Sequence, residues 1–341
     1  MKTWTIIVLL IFTHILFLSG CTNSEEVKKE KTETAIEKID STAETNMPEI
    51  VILVEEQMNY SAVGEVLADD IINPNVENVD ATSLSSTSSV ATIYDIVDGH
   101  ADLAVIRNDL AYFASHGFYL FEGDVPITGF HGLATLYPEV IHIVVRPESG
   151  IQTVDDLVGK RVAVGNRDSV LEVNAKQILN IHGITYEDFE EKYMDRTEIA
   201  EELQSGKIDA AFISAGLEMG EGKVLKELSD DVDFISVNEE KIQELQAKYP
   251  YYVSYTISKD WYETTSDVTT LAIKAMLIVN SSVDEDLVYE MTRAMFENLE
   301  QFNNDRLGLQ ITLDGALDGM PLDVHLGAER YFNEQQLIKK D

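Results

Sequence analysis

Tyr137-Pro138-Glu139-Val140-Ile141-His142-Ile143-Val144-Val145-Arg146 is the stretch that decides the fold. After a turn at Pro138 it runs on through β-branched residues, Val140, Ile141, Ile143, Val144 and Val145, which reads as a long strand. Residues 268–280 form a second long strand-like run. Two extended crossings of this kind split a chain into two lobes, one made from both ends of the chain and the other from the segment between. The expected divisions are 48–139 and 265–341 for lobe I and 140–264 for lobe II.

Around these crossings, short apolar runs alternate with helical patterns. Glu49-Ile50-Val51-Ile52-Leu53-Val54, Ala101-Asp102-Leu103-Ala104-Val105-Ile106, Arg161-Val162-Ala163-Val164-Gly165 and Asp209-Ala210-Ala211-Phe212-Ile213 read as strands. Residues 60–72 place Val63, Val66, Leu67 and Ile71 on one helical face, and 170–182 and 198–204 are also helical by period. Strands separated by helices imply βαβ units. The expected fold class is therefore α/β: two lobes of mainly parallel sheet with flanking helices, joined by hinge strands, as in type II periplasmic-binding-protein-like folds.

The N-terminus carries an address. Lys2 precedes an apolar run over residues 5–18, too short for a hydrocarbon core that needs about 20 residues. The run ends in Leu18-Ser19-Gly20-Cys21, the pattern of a lipoprotein signal. Residues 1–20 are expected to be a signal peptide and Cys21 the lipidated residue, anchoring the protein on the outer face of the cell membrane. Cys21 is the only cysteine, so the fold is expected without disulfides. Residues 21–47, rich in Glu, Lys, Thr and Ser, read as a flexible tether reaching roughly 30 Å as a random coil.

A formal net charge of −36 disfavours nucleic acid and anionic lipid as partners. It also makes the eight arginines informative. No histidine or cysteine set has metal-ligand spacing, and no nucleophile–base motif is present, so neither a cofactor nor an enzymatic activity is expected.

Gly99-His100-Ala101-Asp102-Leu103-Ala104, Tyr137-Pro138-Glu139, Gly159-Lys160-Arg161-Val162-Ala163-Val164-Gly165 and Gly206-Lys207-Ile208-Asp209-Ala210-Ala211-Phe212 follow one another in the order of a known family. Tyr249-Pro250-Tyr251-Tyr252-Val253, Asp286-Leu287-Val288-Tyr289 and the tail from Gly319-Met320-Pro321 to Glu329-Arg330-Tyr331 continue that order. In these motifs the chain resembles the TAXI family, the TRAP-associated extracytoplasmic solute receptors, over nearly all of residues 49–337. The resemblance implies a cleft between two α/β lobes, a small organic acid or amino acid as solute, and a fused TRAP permease in the membrane as partner. A ligand-sensing or orphan lipoprotein that signals to a membrane sensor such as a sensor kinase, rather than feeding transport, is the alternative.

Ligands of open α/β sheets bind at the carboxyl ends of strands, beside helix N-termini. This places Tyr60 and Ser61, Ser88, Ser89 and Thr92, Asp168 and Ser169, and Ala215 and Gly216 at the expected site. Arg107 and Arg167 fall on matching loops of the two lobes, and a carboxylate clamped between them is one reading. Local ion pairs with Asp109 and Asp168 are the other. Tyr252 is expected at the solute or packed behind it. The loops depart from the family pattern. Glu55-Glu56-Gln57-Met58-Asn59 stands where glycines are usual, and Asp168-Ser169-Val170 replaces Gly-Ser-Gly. Glycines let a backbone approach its ligand closely, so their loss is expected to reshape the pocket.

Overall fold

The computed structural model describes residues 47–55, 60–217, 225–226, 231–303, 307 and 309–338, the side chain of Arg196 excepted. The expected signal peptide, Cys21 and all of the tether but Met47 lie outside the described residues. Among those described, no helix is long and apolar enough to cross a membrane, and no group of three or more His, Cys, Asp or Glu is placed to hold a metal ion.

Ten strands form one sheet, in the order β2-β1-β3-β10-β4-β7-β5-β6, with β8 beside β4 and β9 beside β10. The strands are β1 (Glu49–Glu55), β2 (Asp80–Ser86), β3 (Leu103–Arg107), β4 (Phe130–Val145), β5 (Arg161–Ala163), β6 (Glu190–Lys192), β7 (Ala210–Ala215), β8 (Asp233–Phe234), β9 (Val253–Ile257) and β10 (Val268–Asn280). Pairing is parallel in two separate groups, β2-β1-β3 and β7-β5-β6. The antiparallel ribbon of β4 and β10 joins the groups. β4 pairs with β10 along Phe130–Val140, and from Val140 onward with β7. β10 changes neighbours likewise: Val268–Ala272 pairs with β9, and Ala275–Val279 with β3. β4 is sixteen residues long because its apolar run begins at Phe130, before the Tyr137 stretch that betrays it.

The helices α1 (Ser61–Glu65), α2 (Ser89–Val97), α4 (Val170–Ile181) and α5 (Arg196–Gln204) connect strands within the two parallel groups, α3 (Asn108–His116) leads from β3 to β4, α6 (Glu239–Lys248) lies between β8 and β9, and α7 (Glu285–Glu297) and α8 (Leu326–Glu334) follow β10. α1 continues as a π-helix over Val66–Ile72. The expected apolar face is present, since Val63, Val66, Leu67 and Ile71 are all buried. Gly64 lets this helix approach the sheet, because a Cβ there would lie 2.2 Å from Ser83 Oγ and 2.7 Å from Val54 Cγ1.

One hydrophobic cluster packs β1–β3 against α7 and α8, with Leu67, Ile71, Val288 and Phe332 at its centre. A second runs without interruption from Ile93, Phe113 and Ile106 through Ile141 and Ile143 to Val162, Ile178 and Phe212. It therefore belongs to both parallel groups and fixes their relative placement by burial as well as through the ribbon.

Candidate functional site

A cleft of about 600 Å³ opens at the carboxyl ends of the parallel strands. β1 and β3 deliver Glu55 and Arg107 to one wall, and α2 adds Ser88, Ser89 and Val90. The other wall is built from Gly165 and Asn166 after β5, Ser169 to Leu171 opening α4, Asp195 and Thr197 at the start of α5, and Ser214 on β7.

Each wall is organised by a capped helix. Ser88 has extended backbone, and its Oγ accepts from Ala91 N. Ser169 does the same for α4, accepting from Glu172 N. Both leave the first N–H groups of their helices toward the cleft, where a positive helix end favours negative charge. Asp195 caps α5 in a reciprocal box with Glu198. Asp168, where the resembling family has glycine, has φ 59°, the left-handed conformation that aspartate tolerates better than most residues. Asp168 N donates to Glu172.

Arg107 is buried and already engaged. Its Nε and Nη2 donate to Asp109 at 3.1 and 2.8 Å, and Nη2 also donates to Asn174 Oδ1 at 2.6 Å. Burial works against its charge, and the carboxylates of Asp109 and Glu139 outweigh that, so the guanidinium stays protonated. The local ion pair with Asp109 is therefore formed, and the edge of Arg107 still contributes to the cleft wall. Arg167 lies over the ring of Tyr193, 3.8 Å from its centroid, and is not among the residues lining the cleft.

The remaining expected residues separate into groups. Ser88, Ser89, Arg107 and Ser169 line the cleft together. Tyr60 is buried and donates its hydroxyl to Glu139. Ser61 begins α1 behind it, and Thr92 is buried with its hydroxyl donating to Ser88 O. Ala215 is buried in β7, and Gly216 lines a separate cavity of about 200 Å³ with Tyr137, Tyr255 and Trp261.

Tyr252 belongs to a network that sequence reading missed. Asn174 Nδ2 donates to Asp109 Oδ2 and to Tyr252 Oη, at 3.0 and 3.1 Å. Tyr252 and Tyr251 both donate to Gln177 Oε1, at 2.6 and 2.9 Å. Gln177 Nε2 in turn donates to Tyr119. α3 and α4, from the two parallel groups, are thereby tied through buried polar atoms. Asn108 was missed as well. Its side chain donates to Tyr251 O and Gly319 O and accepts from Lys274 N, stapling β10 to two loops. Partners 58 to 211 residues apart leave no local signal in a single sequence.

Two further cleft residues carry weight. Glu55 accepts a hydrogen bond from the hydroxyl of Ser89. Burial raises its pKa, while Arg107 and the backbone N–H of Ser89 pull the other way. The Ser214 hydroxyl is buried on the opposite wall and finds no hydrogen-bond partner among the described residues. A buried donor of that kind is uncommon in folded proteins.

Solved structures share this architecture. The periplasmic sulfonate-binding protein SsuA from Methylobacillus flagellatus KT superposes with a TM-score of 0.52 at 13% identity, over 77% of this chain and 71% of its own. A TctC solute-binding protein from Polaromonas gives 0.51 at 15%, over 85% and 96%. PhnD1 from Prochlorococcus marinus, solved with methylphosphonate, gives 0.50 at 10%, also over 85% and 96%. At such identities the likeness establishes the fold, that of two-lobed periplasmic solute-binding proteins. The model of the NMT1-like family matches residues 58–335, most of the chain and nearly all of the described body, and the protein belongs to the NMT1-like family.

Proposed function

We propose that this protein is an extracytoplasmic solute receptor, capturing a small molecule in the cleft between two lobes and handing it to a membrane permease. The observation that carries the reading is the cleft itself. It has about 600 Å³, walls from both parallel groups, two serine-capped helix N-termini and an unsatisfied Ser214 hydroxyl. A mixed lining of hydroxyl groups and apolar side chains, such as Leu110, Leu120, Met194 and Ile213, suits a small organic solute. Family membership and fold support it.

In this reading lobe I comprises residues 48–139 and 265–341, lobe II comprises 140–264, and the β4–β10 ribbon is the hinge. Ser88, Ser89, Arg107, Ser169 and Ser214 face the solute, while Tyr60, Thr92 and Tyr252 hold the walls from behind. The motifs shared with the TAXI receptors favour a TRAP-type permease as the partner. The Leu18-Ser19-Gly20-Cys21 stretch favours a lipid anchor that keeps the receptor at the membrane surface. The protein itself performs no chemistry on the solute.

A thermal-shift screen of small organic solutes tests the proposal. A true solute at 100 times its Kd raises stability by about 2.7 kcal/mol. Val170→Trp, which fills the cleft at the start of α4, should abolish that gain while leaving the unliganded protein folded. A solute that stabilises the variant as well as the wild type would place binding elsewhere.

A further inference from the structure

The N-terminus of α2 is the natural anion site of the β1–β3 wall, with free N–H groups beside a buried guanidinium. That place is taken. The Glu55 carboxylate receives the hydroxyl of Ser89, the residue that opens α2, and lies within the field of Arg107. Arg107 has its own carboxylate in Asp109 and a further acceptor in Asn174. The charged side chains lining the cleft are Glu55, Arg107 and Asp195. Arg107 is already paired with Asp109, so the charged groups around the cleft leave an excess of carboxylate over guanidinium on the β1–β3 wall, and the described lining contains no lysine.

An anionic solute would have to displace Glu55 from its donors and then sit beside it against like charge. A protonated amine meets the opposite situation. Its three N–H groups find the remaining lone pairs of Glu55, and the serine oxygens around it accept as well. Val90, Leu110 and Leu120 offer its carbon chain an apolar surface.

We propose that Glu55 is an internal anion filling the α2 end of the cleft, and that it makes the cleft select a solute bearing a protonated amine. The proposal rests on the cleft being the solute site. Burial of Glu55 fits a carboxylate whose counter-charge arrives with the solute.

A matched four-carbon set tests it: 1,4-diaminobutane, 1,4-butanediol and succinate, titrated calorimetrically into wild type, Glu55→Gln and Ser89→Ala, with cooperative melting as the check on folding. Wild type should bind the diamine at least about tenfold more tightly than succinate, the difference of one charge-assisted contact. Glu55→Gln should lose that factor for the diamine and gain succinate binding. Ser89→Ala keeps the carboxylate but removes a hydroxyl placed at the solute, so it should weaken the binding of diamine and succinate alike and keep their ratio. Wild type that prefers succinate, or a Glu55→Gln variant with unchanged preference, overturns the role of Glu55 and leaves the cleft reading standing. If none of the three compounds at millimolar concentration binds or stabilises wild type, and Val170→Trp is equally indifferent, the cleft reading fails and the proposal with it.

Discussion

The two walls of the cleft are built alike and charged differently. Each sets a serine-capped helix at the carboxyl end of a parallel strand. On the β1–β3 wall the polar groups are satisfied within the protein, with Arg107 on Asp109 and Glu55 on Ser89. The β7–β5 wall presents Asn166, Ser169 and Thr197, and its Ser214 hydroxyl has no partner among the described residues. One wall is thus set before a solute arrives, and the other keeps capacity for it. Organised charge costs little reorganisation on binding, and an unsatisfied hydroxyl gains most from a ligand.

The largest effect should come from breaking the satisfied wall. Arg107→Met leaves the Asp109 carboxylate buried without its counter-charge, which should destabilise the protein by about 3–5 kcal/mol in urea unfolding. Arg107→Met with Asp109→Leu should recover most of that loss, because no charge is then stranded. Equal destabilisation in the single and double variants would show that packing, and not charge compensation, holds this wall.

β4 serves both parallel groups, and a charge placed on it should affect them together. His142 is buried on β4 with its Nε2 2.8 Å from Tyr262 Oη, and burial lowers its pKa to about 4 from the usual 6.5. The unfolded chain therefore binds a proton in a range where the folded protein does not. Stability attributable to this residue is full above pH 6.5 and falls as the pH drops toward 4, by up to about 3 kcal/mol. His142→Phe should flatten the pH dependence of Tm between 4 and 6.5. A slope there as steep as in wild type would assign it to other groups.

A smaller effect is expected at the base of the second wall. Asp209 accepts from Arg146 Nη2 at 2.8 Å and Arg161 Nη2 at 2.7 Å, and its carboxyl is held well below the usual range, first by the hydrogen bond from Arg161. Both arginines are partly exposed, which reduces the worth of the pairs. Asp209→Asn should cost about 2 kcal/mol at neutral pH, and that cost should shrink as the pH falls below about 4, where the unfolded chain takes up a proton and the native carboxylate does so only at much lower pH. A cost that stays constant with pH would point to the geometry of the side chain, not its charge.

The smallest change in stability should come from the open wall. Ser214→Ala removes a hydroxyl that contributes no internal hydrogen bond, so melting should shift by less than about 0.5 kcal/mol. Affinity for the solute should nevertheless fall severalfold. A large loss of stability with unchanged affinity would reverse the contrast between the walls.

Much of the fold was legible because it lies in continuous apolar runs. Glu49 to Val54, Leu103 to Ile106 and the whole of β10 could be read directly, since strands buried on both faces carry no polar alternation. β2 was not legible. Asp80-Ala81-Thr82-Ser83-Leu84-Ser85-Ser86 is the edge of the sheet, and its polar side chains face solvent on one side. The cap serines Ser88 and Ser169 were readable from local pattern, and both line the cleft. Arg107 and Arg167 looked equivalent in sequence. Only the fold shows that one is held by Asp109 and Asn174 and the other lies on Tyr193. Glu55 stood in a loop notable for its missing glycines, and the contact with Ser89, 34 positions away, has no local signature.

The β4–β10 ribbon has a mechanical consequence. The two parallel groups share a pair of hydrogen-bonded strands as well as an uninterrupted apolar core. A single cut in the chain, for example in the segment 263–267 between β9 and β10, severs one covalent path and leaves the other intact through β4. Nicked protein should therefore migrate as one particle on gel filtration and separate into fragments only in denaturant. The same redundancy turns relative motion of the groups into bending and twisting of a two-ply strip, a stiffer element than a single strand, with a preferred axis built into the backbone.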